Sequence, residues 1–331
     1  MRLNSTQILA PLLLSALIVG LAVEPARTQG FPERPIRLVV PYAPGGTVDI
    51  LARSIGEAMS PLLGQPVIVE NKPGAGGTVA GGYVARSTPD GYTLFVSDVG
   101  PLAISRNIYK DAGYDPVKDF QPITLGTVSS LTVSVNPSVP VKNVKELVAL
   151  AKSQPGKINF SSSGVGSIIH TAGELFNLMG GVDMVHVPYR GGAPAVNAVL
   201  AGEVQVGFLA LPTTVSLAHA GKIRILAVTQ GKRSRLTPEI PTVAESGVVS
   251  LAGYDVTVWQ GIVAPKGTPR EIVEKLHAAI VAALNKPEVN ARLTGLGFDV
   301  VTDSPEEFGE MMRNEADKWE RVMKNAKTRA R

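Results

Sequence analysis

The sequence predicts an α/β fold in two lobes joined by two crossover strands, on three observations. Short β-branched apolar runs alternate with helical patterns along most of the chain, which favours parallel strands linked by right-handed helical connections. Two long, nearly charge-free stretches, "LGTVSSLTVSVNP" and "GYDVTVWQGIVAP", bracket one complete set of these units. At 331 residues the chain is long enough for two domains.

The elements follow in order. Residues 36–40, 67–69 and 93–96 read as buried strands, with helices at 48–59 and 79–86 between them. After Asn143 a second run begins: helix 144–153, strand 158–160, helix 167–179, strand 184–187, helix 193–201, strand 204–209, helix 214–220 and strand 225–228. The two charge-free stretches, near 125–135 and 254–264, carry the chain out to a second lobe and back. Lobe one is therefore expected to comprise 29–130 with 253–331, and lobe two 131–252. Helices at 269–284, 287–296 and 305–327 rejoin lobe one, each opening on a proline suited to a first helical turn.

Composition narrows the function. With 44% hydrophobic and 18% charged residues, the chain has ample material for a core. The absence of cysteine excludes disulfides, thiolate zinc sites and a thiol nucleophile. Lys and Arg are dispersed except at 232–235 and in the last helix, and aromatics are only 5%, so nucleic acid is not an expected partner. At the N-terminus, Arg2 precedes "ILAPLLLSALIVGLAV", which has the form of a signal-peptide apolar region followed by small residues. It is shorter than the roughly 20 residues that span a bilayer, and Pro11 interrupts it. Residues 1–28 are expected to be a cleaved signal peptide and the mature protein a soluble, exported monomer.

The chemistry concentrates in strand-to-helix loops. "VVPYAPGGTVDI" passes from strand to helix through Tyr42, Ala43, Pro44, Gly45 and Gly46, with Thr47 as the expected cap. Such a loop exposes the first N–H groups of a helix to an anion. Asp49, in the first turn, complements the helix dipole and braces the loop. In "INFSSSGVGSIIHTAGELF", Ser161, Ser162, Ser163 and Ser167 supply hydroxyls, Gly164 and Gly166 allow close approach, and His170 can hydrogen-bond the loop. "VPYRGGAPAVNAVLAG" is a third such loop, in which Arg190 can pair a carboxylate. These loops belong at the carboxyl ends of parallel strands, where open α/β sheets bind ligands. Two such edges facing across a hinged cleft form a clamp for an anion, with a carboxylate as the expected ligand group.

Competing motifs are weak. "NKPGAGGTVAGG" has an irregular glycine pattern after the second strand and does not make a dinucleotide loop. There is no phosphate-binding G-x-x-x-x-G-K-[ST], no G-x-S-x-G and no H-E-x-x-H. His186, His219 and His277 lack metal-ligand spacing. No catalytic residue, metal or cofactor is expected.

The segments "PIRLVVPYAPGGTVDILAR", "VIVENKPGAGGTVAGGYVARSTPDGYTL", "SSSGVGSIIHTAGELF", "VPYRGGAPAVNAVLAGEV", "GKIRILAVT", "IPTVAESG" and "GIVAPKGTP" together resemble the periplasmic substrate-binding proteins of tripartite tricarboxylate transporters, the Bug proteins. The resemblance runs in order from about residue 31 to 322. It implies a type II-like periplasmic-binding fold of two Rossmann-like lobes that close on a small carboxylate and deliver it to membrane permease subunits. It also implies that the ligand carboxylate is held by the Tyr42-to-Asp49 loop and the Ser161-to-His170 loop, with ordered water sharing the contact. Ser97, at the end of the third strand, and Tyr189, Gly191, Gly192 and Ala193 complete the expected ligand set. A hairpin-like loop after strand 204–209 is implied to help set specificity.

The chain departs from the family pattern there. Leu209, Ala210 and Leu211 stand where many relatives carry Asp-Asn, and Asn197 replaces a frequent Asp. A ligand ammonium would lack a counter-charge, so a plain dicarboxylate or aromatic carboxylate is expected rather than an amino acid. An enzyme acting on a carboxylate in the cleft is the alternative, distinguished by turnover of the ligand.

Overall fold

The computed structural model describes residues 30–109 and 111–326, with side chains described as far as residue 321. The expected signal peptide lies outside the described residues. The strands are β1 (Ile36–Val40), β2 (Val67–Asn71), β3 (Thr93–Asp98), β4 (Phe120–Val135), β5 (Asn159–Ser162), β6 (Val185–Pro188), β7 (Val206–Ala210), β8 (Arg224–Val228), β9 (Thr257–Pro265) and β10 (Asp299–Val300). The helices are α1 (Thr47–Leu63), α2 (Thr78–Ala85), α3 (Ser105–Ile108), α4 (Val144–Ser153), α5 (Ile168–Gly180), α6 (Gly192–Ala201), α7 (Leu211–His219), α8 (Arg270–Leu284), α9 (Pro287–Leu296) and α10 (Pro305–Ala326).

The sheet order is β2-β1-β3-β9-β4-β7-β5-β6, with β8 and β10 also pairing to β4. β1, β2 and β3 are parallel, as are β5, β6 and β7, while β9 and β4 run antiparallel to their neighbours. β4 belongs to both halves. Its residues Phe120 to Ser130 pair with β9, and Leu131 to Val135 pair with β7 and β8. What the sequence reads as a crossover beginning near 125 is one strand of 16 residues. Its residues are uncharged and nearly all buried, so it can run through the middle of the molecule with both faces covered.

Each half is a sheet sandwiched between helices. In the first, Leu38, Leu51, Ile55, Leu276 and Ile280 fill the face under α1 and α8, and Phe95, Phe308 and Trp319 fill the face under α10. In the second, Phe160, Phe176 and Phe208 pack edge to face at 5.5–5.6 Å on the α5 side, and Val196, Val199 and Leu209 pack on the α6 side. Each buried aromatic or aliphatic side chain contributes about 1.5–3 kcal/mol.

Three local expectations are corrected. Gly46 rather than Thr47 caps α1, and it makes no side-chain cap bond. α7 begins at Leu211, directly after β7, because Pro212 sits in a first turn where its missing N–H costs nothing. There is consequently no hairpin-like loop at that position. A turn of π-helix over Gly100–Ile104, which leads into α3, and the short β10 carry no periodic pattern by which the sequence could announce them.

Candidate ligand-binding cleft

β1 and β3 deliver their carboxyl ends to one side of a cleft, and β5 and β6 deliver theirs to the other. The α1 loop is held rigidly. The Asp49 carboxylate accepts from Gly45 N (2.9 Å), Arg53 Nε (2.9 Å) and Asn71 Nδ2 (2.9 Å), and Asn71 also donates to the Tyr42 carbonyl at 3.0 Å. Burial opposes the Asp49 charge, but these donors outweigh it and hold the carboxyl below its ordinary range. Gly45 has φ +86°, a conformation that favours glycine. Asp49 is therefore a brace for the loop.

The α5 loop is built in the same spirit. Ser167 caps the helix, its Oγ accepting from His170 N at 3.2 Å. His170 Nδ1 accepts from Gly166 N at 3.2 Å, and Ser162 Oγ accepts from Gly164 N at 3.1 Å and bonds His186 Nε2 at 2.5 Å. The two imidazoles stack with centroids 4.1 Å apart. Burial lowers both, His170 to about 4 and His186 to about 3, the latter also opposed by its neighbour's charge. Both are neutral at pH 7 and act as braces. Ser161 turns away, donating to the Ala195 carbonyl at 3.1 Å.

The two halves touch across the cleft. Ala43 N donates to the Arg190 carbonyl at 3.0 Å, and the Tyr109 hydroxyl donates to the Val165 carbonyl at 2.7 Å. A Cβ built on Gly45 would stand 3.5 Å from that of Ala193, and one built on Gly46 would stand 3.8 Å from Gly192 N. The first turns of α1 and α6 thus face each other, and the α5 cap meets Gly100: a Cβ there would lie 3.3 Å from Ser167 Cα. A cavity of about 250 Å³ opens between the halves, walled by Tyr42, Ser163, Gly164, Tyr189 and Arg190. Larger surface hollows occur elsewhere, such as the one of about 490 Å³ beside Lys232 and Asp255, but its lining includes none of these loops.

The structure brings the three expected loops together, with differences in detail. Pro44 and Gly45 are exposed at the outer lip, while Tyr42 and Gly46 are buried and Ala43 and Thr47 partly so. Ser97 is fully buried and its Oγ has no partner. Tyr189 forms a wall, with its hydroxyl donating to Glu203 at 3.2 Å. Gly191 is backed against Ala43, and Gly192 and Ala193 open α6. The sequence reading missed the Gly74-to-Gly77 loop, which follows β2 and also walls the cavity. The rule that placed the other loops, carboxyl ends of parallel strands, applied to it equally.

The basis for excluding an amino-acid ligand does not survive. Asn197 is exposed on the outside of α6, Leu209 packs in the core beneath that helix, and Leu211 packs against Gly297. An acid absent from those positions leaves the cleft unchanged. Asp183 is also exposed, whereas the buried acid Asp98 closes β3 beside Tyr42.

Two lobes sharing one long strand, with helix N-termini from both sides meeting over a small cavity, define a solute-binding protein of the periplasmic-binding type. The model of the tripartite tricarboxylate transporter family receptor matches residues 51–327, and the chain belongs to that family. Among solved structures, it is similar to the periplasmic binding protein BugD at 36% identity and a TM-score of 0.86, covering 91% of this chain and 100% of that one. It is similar to R. palustris Rpa4515 with adipate at 37% and 0.85, covering 89% and 98%. It is also similar to MatC from Rhodopseudomonas palustris with bound malate at 34% and 0.84, covering 88% and 99%. These relatives are binding proteins rather than enzymes.

Proposed function

We propose that this protein captures a small carboxylate between its lobes in the periplasm and delivers it to the permease subunits of a tripartite tricarboxylate transporter. The observation that carries this reading is the convergence of the α1, α5 and α6 N-termini on one cleft lined by glycines and hydroxyls. Backbone N–H groups and helix dipoles recognise a carboxylate without needing a buried lysine or arginine. The adipate and malate held by two of the similar structures support this ligand class. The ligand set is Tyr42 to Thr47, Ser163 to Ser167 and Tyr189 to Ala193, with Ser97 at the end of β3. The lobes divide after Ser130 and again after Ala252, and they close around the ligand.

A thermal-shift screen of organic acids tests the reading, because a ligand bound only to the native state raises its melting temperature. Di- and aromatic carboxylates are expected to raise it and to be recovered chemically intact. No shift with any carboxylate, or conversion of the acid on prolonged incubation, would overturn it. Export is tested separately. N-terminal sequencing of periplasmic protein should start between residues 23 and 31, and an intact Met1 there would refute processing.

A further inference from the structure

We propose that Asp98 selects the ligand by accepting a hydrogen bond from a donor, a hydroxyl or an ammonium, carried beside the bound carboxylate. This rests on the carboxylate reading above and narrows its substrate class. Asp98 ends β3 and is 5% exposed. Its Oδ1 accepts from the Tyr42 hydroxyl at 2.9 Å and from Gly100 N at 3.0 Å. A Cβ built on Gly100 would lie 3.1 Å from that Oδ1, 3.2 Å from the Tyr42 hydroxyl and 3.3 Å from Ser167 Cα. One point thus touches the acid, the anchor of the α1 loop and the cap of α5. Asp98 sits at the seam where both anion-binding loops meet.

The surroundings leave this acid unfinished. Both hydrogen bonds from other residues end on Oδ1, so Oδ2 is the oxygen the proposal assigns to the ligand. Among the described residues, Asp98 has no ion-pair partner, and burial pushes its carboxyl up to about 6. Across the ladder, its partner on β9 is Gln260, whose Oε1 accepts from Thr127 at 3.1 Å while Nε2 has no partner. Whichever way that amide is turned, one of its ends is unpaired. The neighbouring Ser97 Oγ is unpaired as well. Buried polar groups are nearly always satisfied; side chains alternate along a strand, so Asp98 and the cross-strand Gln260 share the face beside Tyr42 while Ser97 points to the other face.

A plain dicarboxylate seated on the α5 N-terminus brings like charge towards Asp98. A hydroxyl or ammonium on the adjacent carbon turns that repulsion into a charge-assisted hydrogen bond. Such bonds are worth roughly 10- to 150-fold in affinity.

Calorimetry with succinate, malate and aspartate tests the proposal on wild type, Asp98→Asn and Tyr42→Phe, with adipate and 2-aminoadipate as the longer pair. Wild type should bind malate and aspartate at least about 10-fold tighter than succinate. In Asp98→Asn the amide keeps both Oδ1 bonds but presents a donor to the ligand. The aspartate advantage should then vanish, the malate advantage should shrink, and succinate should gain. Tyr42→Phe, which alters the ligand set and removes one of the two Oδ1 bonds, should weaken all the acids while the order of malate and aspartate over succinate persists. Succinate equal to or tighter than both in wild type, or ratios unchanged in Asp98→Asn, would overturn the proposal while the carboxylate reading stands. If none of the five acids binds, Asp98 selects nothing among them and the proposal falls, whereas the carboxylate reading falls only if the wider thermal-shift screen, aromatic acids included, is also negative.

Discussion

Gly76→Ala separates closing from folding. Gly76 lies in the loop after β2 with φ +60°, and an added Cβ would stand 1.9 Å from the Val165 carbonyl oxygen and 3.1 Å from its carbon. Val165 belongs to the opposite lobe, and its carbonyl is backbone, so no side-chain rotation relieves the overlap. Restoring ordinary contact requires the lobes to part by more than about 1 Å at this point. The clash exists only when the lobes are together, whereas the left-handed strain of about 1–2 kcal/mol acts in every folded state. Gly64→Ala isolates that second cost. Gly64 has φ +66° with nothing within 4 Å of its Cβ position, and it caps the far end of α1. Both variants should lose similar stability in denaturant. Only Gly76→Ala should lose affinity, by at least ~100-fold or about 2.7 kcal/mol, for whichever of malate, succinate or adipate binds wild type most tightly. Solution scattering should show the radius of gyration contracting with that acid in wild type and Gly64→Ala but not in Gly76→Ala. Full affinity and contraction in Gly76→Ala would refute the view that the Gly76–Val165 contact belongs to the bound state.

Two further outcomes follow from the α5 loop. Ser167→Ala removes a buried helix cap at the N-terminus of α5. It should cost about 1 kcal/mol of stability and about 10- to 150-fold in carboxylate affinity, whereas Arg190→Ala should cost less, and calorimetry showing the reverse ranking would replace the helix-dipole account with an ion-pair account. Stability should also fall on acidification from pH 7 to pH 4. His170 and His186 are held below the ordinary histidine value, so the unfolded chain takes up protons that the native state refuses. His170 alone accounts for about 3 kcal/mol by pH 4. Asp98, pushed up to about 6, has the opposite sign and partly offsets the loss. Denaturant midpoints should therefore drop more steeply with falling pH in Asp98→Asn than in wild type, and equal slopes would remove Asp98 from the titration.

The sequence revealed the alternation of strands and helices because hydrophobic period and glycine placement are local properties. The α1 and α5 loops were legible for the same reason, since a strand ending in glycines before a helix has few other uses. What escaped depends on partners distant in sequence. Asp98 looks like any acid after a strand until Tyr42, Gly100 and Ser167 are placed around it. Gly76 looks like part of a failed dinucleotide motif until Val165 is set against it. Conversely, Asn197 and Leu209 are near the ligand loops in the chain but not in space. The first is on the surface and the second in the core.

The unbroken course of β4 makes the two lobes inseparable as pieces of protein. Its first part is a rung of one sheet and its last five residues, Leu131 to Val135, are a rung of the other. The returning chain is tied to it, Thr229 N donating to the Leu131 carbonyl at 2.9 Å and Val256 N to that of Thr229 at 2.9 Å. A cut between Ser130 and Leu131 would expose a raw sheet edge on each fragment, inviting aggregation rather than yielding two half-receptors. Rocking of the lobes is accordingly a torsion distributed along a hydrogen-bonded ribbon. Amides at the centre of β4 should exchange with solvent equally slowly whether or not the cleft is occupied.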